Sequence, residues 1–517
     1  MKIKLLFLTM SLCLGFASCT SDEQDLNTGA KDGAYLDIRV SVPSAGSVTK
    51  SSTNDDGTST DGTQNATNAE SKVSTLVVTA VGEDGRIKGV YDIAVLNIVA
   101  GGNQVTYETG SFQAEGLAVG DTYKIYVFAN TTVANLSLVV GDLFDLNKAY
   151  AATDLAGALA YISTDNKFLM TNAEPVVDQL IPTTAADKGT PLAISIKVER
   201  TAARFDYKKA AAATSVAPGT SSAMGNDKYL LDGTVADGVA VQLTGYALMN
   251  VSKSFYYYKR VSADGTNTAA TVGGSETSTN YVVSTNYAYK TNVPANIAAV
   301  NNYFFRVIGV PATGVAYQAM GGAVDYERLT YCTENTIPGI DNQLNAFTTA
   351  VVFKGELSFI GTTAPATGAK IYIYNNKYYK NWASLYSYLS AYSDLSATED
   401  NNDVATLQNR GIKRYTPDSE GKYFAYYVYW NRHNDNGKNT EMGPMEFAVV
   451  RNNLYKLMIN SIAKFGHPTD PVNPPVTPTD PDPDPLDPTD PDESKDVYMN
   501  VKVEVLPWVL RINSIDL

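Results

Sequence analysis

Residues 34–43, AYLDIRVSVP, alternate apolar and polar side chains without interruption. Leu36, Ile38, Val40 and Val42 fall on one face, and Asp37, Arg39 and Ser41 on the other, the period of a half-buried β-strand. Runs of this kind recur along the 517 residues and restrict the chain to a mainly β fold. KVSTLVVTAVGEDGRIKGVY (72–91) holds two strand-like runs joined by a Gly/Asp-rich turn, and TYKIYVFAN (122–130) is another strand. PLAISIKVERTAARFDYKK (191–209) reads as one long strand near the boundary between two β domains. KIYIYNNKYYK (370–380) reads as a hairpin, and residues 423–466 as strand, turn, strand, strand. Helical spacing shows at 142–161 and at 381–392, where Trp382, Leu385, Leu389 and Tyr392 share a face. The 34 tyrosines and an apolar fraction of 44% fit this pattern and suffice for the cores of two or three domains.

The N-terminus sets the destination. MKIKLLFLTMSLCLGFASC places Lys2 and Lys4 before an apolar run from Leu5 to Phe16, then Ala17 and Ser18 before Cys19. That order is a secretory signal, too short for a spanning helix. Its small-small-Cys ending resembles a bacterial lipobox, which implies a lipidated Cys19 as the new N-terminus. TSDEQD (20–25) resembles the acidic export signal of surface lipoproteins. With Cys13 removed and Cys19 lipidated, Cys332 alone remains, so no intrachain disulfide is expected and Cys332 should be a small buried side chain.

Two segments have almost nothing to bury. Residues 44–71 are mostly Ser, Thr, Asn, Asp and Gly, the composition of a disordered or long exposed loop. Residues 468–495 hold ten of the 22 prolines, interleaved with Asp and Thr. Such a segment favours extended polyproline II at up to roughly 3.1 Å per residue, and reads as a stiff tether. Beyond it Val497, Met499, Val501, Val503 and Val505 form an apolar face opposite Asn500, Lys502 and Glu504. Pro507 is expected to break the pairing, with a second short strand starting at Trp508, Leu510 and Ile512. Alternation alone allows this tail to pair with its own domain or with another molecule. The long spacer favours another molecule, because a strand meant for its own sheet needs only a short loop. The tail should then be free or loosely docked while residues 34–43 fill their groove.

Catalytic chemistry finds little support. The two histidines, His433 in an Asn/Asp/Gly turn and His467 at the start of the Pro/Asp segment, assemble no triad or zinc cluster. No phosphate loop, nucleophile elbow or zincin motif is present. With 54 Asp and Glu, carboxylate pairs carry almost no information, and the Pro/Asp segment could bind calcium loosely yet lacks the spaced oxygen ligands and Gly of a calcium loop. No enzyme activity, cofactor or metal is expected. The aromatic stretch 371–392 suits a sugar-stacking platform or, more simply, a core. A net charge of −14 argues against nucleic acid and anionic membrane surfaces as partners.

The lipobox, VERTAARFDYK, MEFAVVRNNLYKLMINSI and the Pro/Asp segment before a Val-rich, Pro-Trp-containing tail together resemble the fimbrillins of Bacteroidetes. These are shaft subunits of type V pili, and the likeness is greatest to the short (minor) fimbria fimbrillin of Porphyromonas. It spans nearly the whole chain, and VRNNLY (Val450 to Tyr455) with the tail is its most specific part. The resemblance implies two β-sandwich-like (transthyretin-like) domains with a few short helices. It further implies a lipoprotein precursor at the outer membrane, a cut after the first strand by a trypsin-like protease, and polymerisation by donor-strand exchange. Partners would be identical or related pilin subunits, with anchor and tip subunits. The expected organisation is signal and lipobox 1–19, propeptide 20–50, N-terminal β domain 51–188, C-terminal β domain 189–466, linker 467–495 and donor strand 496–517.

Among the basic residues near the loop, Arg39 is mid-strand and Lys72 opens the next strand. Lys50, followed by Ser51, has the most exposed setting for the cut, although the better-known relatives are cut after Arg. The rival reading is a surface glycan-binding lipoprotein, which would have no use for a cleavable loop or a tethered tail.

Overall fold

The computed structural model of the chain describes residues 33–42, 52–53, 59–60, 64–65, 67–94, 96–101, 104–165, 167–213, 224–263, 270–274, 281–286, 297–309, 314–321, 325–337, 339–438, 440–493 and 498–509. Cys19, Lys50, Ser51 and Val497 lie outside the described residues. The fold is mainly β, with a few short helices.

Strands β1 (Gly33–Ser41), β2 (Leu76–Gly82), β3 (Ile87–Ile93), β4 (Asn97–Gly101), β5 (Gln104–Glu108), β6 (Phe112–Glu115), β7 (Thr122–Ala129), β8 (Met170–Asn172) and β9 (Leu192–Arg200) belong to one ten-stranded sheet. Its path runs β3-β2-β7-β8-β9-β1-β5-β4, with β6 also on β1 and residues 178–180 on β7. Apolar residues from distant parts of this path, Val78 and Phe128 as well as Ile38 and Val40, share one core.

Downstream of Thr201 the chain enters a second unit. Its strands are β10 (Ala202–Tyr207), β11 (Lys228–Gly233), β12 (Gly238–Met249), β13 (Glu327–Thr333), β14 (Ala350–Ile360), β15 (Ile371–Tyr374), β16 (Lys377–Tyr379), β17 (Ile412–Tyr415), β18 (Phe424–Trp430), β19 (Asn453–Ile462) and β20 (Met499–Val509). Sheet β13-β10-β19-β20 faces sheet β11-β12-β14-β18. Phe205, Tyr455 and Leu457 from the first meet Val241, Phe353 and Tyr427 from the second in a common core, so this unit is a β-sandwich. The segment 191–209, expected as one strand, is therefore two strands in two sheets, separated by Thr201 alone.

Three local readings resolve at the level of single side chains. The hairpin β15–β16 turns at Asn375 and Asn376, both at positive φ, as a two-residue turn that follows sheet twist requires. Helical spacing at 142–161 yields a helix only over Leu155–Ser163, where Asp154 caps the Gly157 N–H at 2.7 Å. Upstream, Asp145 instead accepts from the Asn147 N–H at 2.8 Å and holds a turn. The helix Trp382–Leu389 buries Trp382, Leu385 and Leu389, while Tyr392 lies beyond it. Tyr372 and Trp382 pack inside the small module around β15–β17, so they offer no sugar-stacking face.

The two units meet over buried charge. The Arg451 guanidinium, fully buried, forks onto Glu334 at 2.9 and 3.1 Å and donates to the carbonyls of Tyr256 and Tyr257. Tyr257 itself belongs to the core of the first unit. Arg451→Ala would leave the buried Glu334 carboxylate without its guanidinium and remove a donor from each of two carbonyls. A loss of roughly 3–5 kcal/mol is expected, read as a lowered urea midpoint at unchanged slope.

Candidate functional site

The first strand is an internal strand, not an edge. On one side β1 pairs with β9 in parallel, Leu36 opposite Leu192, Ile38 opposite Ile194 and Val40 opposite Ile196. On the other it pairs antiparallel, first with β6 and then with β5. Where those two neighbours meet, Thr109 closes the ladder. Its N–H donates to the Ile38 carbonyl and its Oγ1 accepts from the Ile38 N–H, both at 3.0 Å. Ala34, Leu36, Ile38, Val40 and Val42 are all completely buried. Arg39 projects outward, 3.4 Å from Glu108, while its backbone is held in the ladder. Removing β1 would open a slot lined by apolar side chains with unsatisfied backbone on both walls.

The segment after β1 is ordered earlier than its composition indicates. Residues Asn68–Ser71 form one helical turn with a capping box between Thr67 and Glu70. The buried Glu70 carboxylate takes both a fork from Arg204 at 3.1 Å and the Tyr331 hydroxyl at 2.7 Å. Arg200 donates to the Glu70 carbonyl at 2.7 Å and to Ser71 Oγ at 2.9 Å. The expected loop 44–71 thus ends in an anchor to both units, because Arg204 takes the Glu70 carboxylate and Arg200 its backbone carbonyl. Sequence reading missed this: a lone Glu among Ser, Thr and Asn gives no sign of its partners.

The tail corrects a second expectation. It is not free: β20 pairs antiparallel with β19 of its own chain, from Met499 opposite Ile462 to Pro507 opposite Asn453. Met499 and Val501 enter the core of the second unit. The side chains of Val503, Val505 and Trp508 lie on this strand but outside the described side chains. Apolar alternation specifies a face, not a molecule, and the open edge of β19 satisfies it. Nor does Pro507 break the strand, which runs on to Val509. Among the described residues, the ladder on its far side is limited to residues 64–65, opposite Trp508 and Val509, so a proline there forfeits no long described ladder.

The tether is a third correction. The Pro/Asp segment lies along the second unit rather than extending from it. Asp470 accepts from the Tyr317 hydroxyl at 2.8 Å, and Arg306 donates to the Pro471 carbonyl at 2.7 Å. Asn473 bonds both the N–H and the carbonyl of Val315, at 3.1 and 2.9 Å. Further on, Asp480 takes the Thr416 hydroxyl at 2.7 Å and Asp482 sits between His467 and Lys413. Burial alone would raise the Asp482 carboxyl, but the His467 and Lys413 charges outweigh it and hold it below its ordinary value. The Asp residues also fold the segment locally, Asp470 onto the Val472 N–H at 2.8 Å and Asp487 onto the Thr489 N–H at 2.7 Å. Such Asx turns defeat a continuous polyproline helix. The basic partners come from separate strands and loops, and nothing in their spacing announces them.

At the root of the tail, the Tyr498 ring stacks on His467 with centroids 5.1 Å apart, and its hydroxyl accepts from Lys413 at 3.0 Å. The other histidine, His433, is buried with Nδ1 2.9 Å from the Tyr455 hydroxyl. Cys332 is buried, which pushes its thiol up to about 12. Among the described residues no three His, Cys, Asp or Glu side chains converge as a metal cluster.

Residues 422–514 match the family model described as major fimbrial subunit protein type IV, fimbrillin, C-terminal. No curated protein matches the chain. Among solved structures, a protein ascribed to cell adhesion from Parabacteroides distasonis ATCC 8503 is 14% identical, with 94% of this chain and 100% of that chain covered and a TM-score of 0.41. The fimbrilin (fimA) of Porphyromonas gingivalis W83 is 14% identical, with 94% and 100% covered and a TM-score of 0.39. The tip fimbrial protein Mfa3 of Porphyromonas gingivalis is 11% identical, with 92% and 100% covered and a TM-score of 0.35. Across β18, β19, the docked Pro/Asp segment and the tail strand, the chain is similar to the C-terminal region of the fimbrillins.

Proposed function

We propose that this protein is a structural subunit of a surface fimbria, exported as a lipoprotein lipidated on Cys19 and cut between Lys50 and Ser51. The lost β1 is then replaced by the tail of another copy. The observation that carries this reading is the contrast between two strands of like pattern: β1 is internal with its apolar face wholly buried, whereas among the described residues β20 pairs with one neighbour over most of its length. Moving a tail from the β19 edge into a vacated β1 slot exchanges one ladder for two and buries a full apolar face.

Before the cut, exchange cannot compete. The first strand is tethered to its own slot at a millimolar-type effective concentration, while a tail from another molecule must diffuse in. Cutting between Lys50 and Ser51 removes that advantage and leaves the Glu70 anchor on the body. Proteolysis is then the switch and strand addition the bond. Identical subunits form the homopolymer, with related anchor and tip subunits at its ends and the outer membrane holding the precursor through its lipid.

Lys50→Ala should leave a lipidated, unpolymerised precursor at the outer membrane. N-terminal sequencing of sheared surface material, with gels run for heat-resistant ladders, checks it. Ladders of normal yield from the mutant would rule this site out, and a single lipidated species beginning at Cys19 in the wild type would favour the glycan-binding lipoprotein.

A further inference from the structure

The Pro/Asp segment ends against the second unit in an antiparallel bridge between Leu344 and Pro491. It is flanked by the Asp492 N–H to the Gln343 carbonyl and the Asn345 N–H to the Asp490 carbonyl, both at 3.0 Å. In that register Gln343, Asn345, Asp490 and Asp492 project to one face. Gln343 is satisfied, donating to the Gly443 carbonyl at 2.7 Å and accepting from the Phe447 N–H at 2.6 Å. Asp492 is not. It is 3% exposed, and both of its carboxylate oxygens are buried with no donor in hydrogen-bond geometry, the neighbouring Thr348 hydroxyl donating instead to the Leu344 carbonyl at 3.3 Å. The Oδ1 of Asn345, a residue 5% exposed, has no partner either. Both residues line one cleft together with Arg432, Glu493 and Trp430.

The local charge does not balance. Arg432 is already surrounded by Glu493 at 2.8 Å, Asp435 at 3.6 Å and Glu446. Asp492 adds a fourth carboxylate to one guanidinium. Burial pushes the Asp492 carboxyl well above its ordinary value and that of Glu446 up to about 7. An unpaired buried carboxylate is costly, and the cost is relieved either by taking up a proton or by coordinating a cation.

We propose that a divalent cation of the calcium type binds between Asp492 and Asn345, fastening the end of the Pro/Asp segment to the second unit just before the tail strand. The donors are a carboxylate and an amide oxygen, with the exposed Asp490 on the same face and water completing the shell from the open cleft. Oxygen-only donors select a large hard cation over zinc. With so few protein charges, affinity belongs to the weak extracellular class, on the order of 10⁻⁴ M. The binding itself is independent of the fimbrial reading.

Two measurements on the full chain test the site. After EGTA treatment, millimolar CaCl₂ should raise Tm by about 3–6 °C, and Asp492→Asn should abolish that rise. Terbium should bind saturably with emission sensitised through Trp430, and Ca²⁺ should displace it. Asn345→Ala should weaken this binding about tenfold, the loss of one protein ligand. If Asp492→Asn fails to fold, the terbium titration of the wild type decides. No displaceable emission, or an equal CaCl₂ rise in Asp492→Asn, overturns the proposal. A calcium-indifferent wild type with a more stable Asp492→Asn variant also overturns it, as that would mean Asp492 is held as a neutral acid.

Discussion

A chain that begins at Ser51 should expose an empty slot in its first sheet and lose most of the stability of that unit. Leu36, Ile38, Val40 and Val42 are completely buried there. At about 1.5–3 kcal/mol each, their removal forfeits roughly 6–12 kcal/mol as an upper bound, before two backbone ladders are counted. That is comparable to the whole stability of a typical domain. Thermal unfolding should show the first transition lowered or absent, with strong binding of a hydrophobic dye. A synthetic peptide of residues 496–517 should restore the transition. A peptide carrying Asp in place of Val501 and Val503 should not, since each would place a charge in the slot. Rescue by the altered peptide, or failure of the native one, would sink the strand-replacement reading.

Truncation before Met499 should give the complementary result: folded subunits that never form fibres. The loss also costs the second unit, because Met499 and Val501 belong to its core. Their burial contributes about 3–6 kcal/mol, so the truncated protein should melt several degrees lower as well as fail to polymerise. The two effects separate in a mixture. Truncated subunits cut at Lys50 still own an acceptor slot and should cap growing fibres, shortening those of the full-length protein in proportion to their fraction. Fibres of undiminished length, or fibres from the truncated chain alone, would remove the tail from the mechanism.

The strands themselves were legible to differing degrees. The face Leu36-Ile38-Val40-Val42 was readable at once, because period-two alternation survives only where one side of a strand is buried. Asn375-Asn376 shows the same directness at the scale of a turn. The Glu70 anchor was illegible, since its partners Arg200, Arg204 and Tyr331 lie 130 to 261 positions away. The docked Pro/Asp segment was misread for a related reason. Composition reports what a segment does alone in water, and it cannot report Tyr317, Arg306 and Thr416 waiting on the surface it meets.

Sequence alone determined that the chain is mainly β and that its first strand and its tail present like apolar faces. Both follow from local spacing, which needs no knowledge of the partner. Tertiary structure alone decided that β1 is internal, that β20 sits on the β19 edge, and that the Asp492 carboxylate is buried in a cleft Asn345 also lines. Pairing, burial and unsatisfied charge are relations between residues far apart in the chain, and only the folded backbone brings them together.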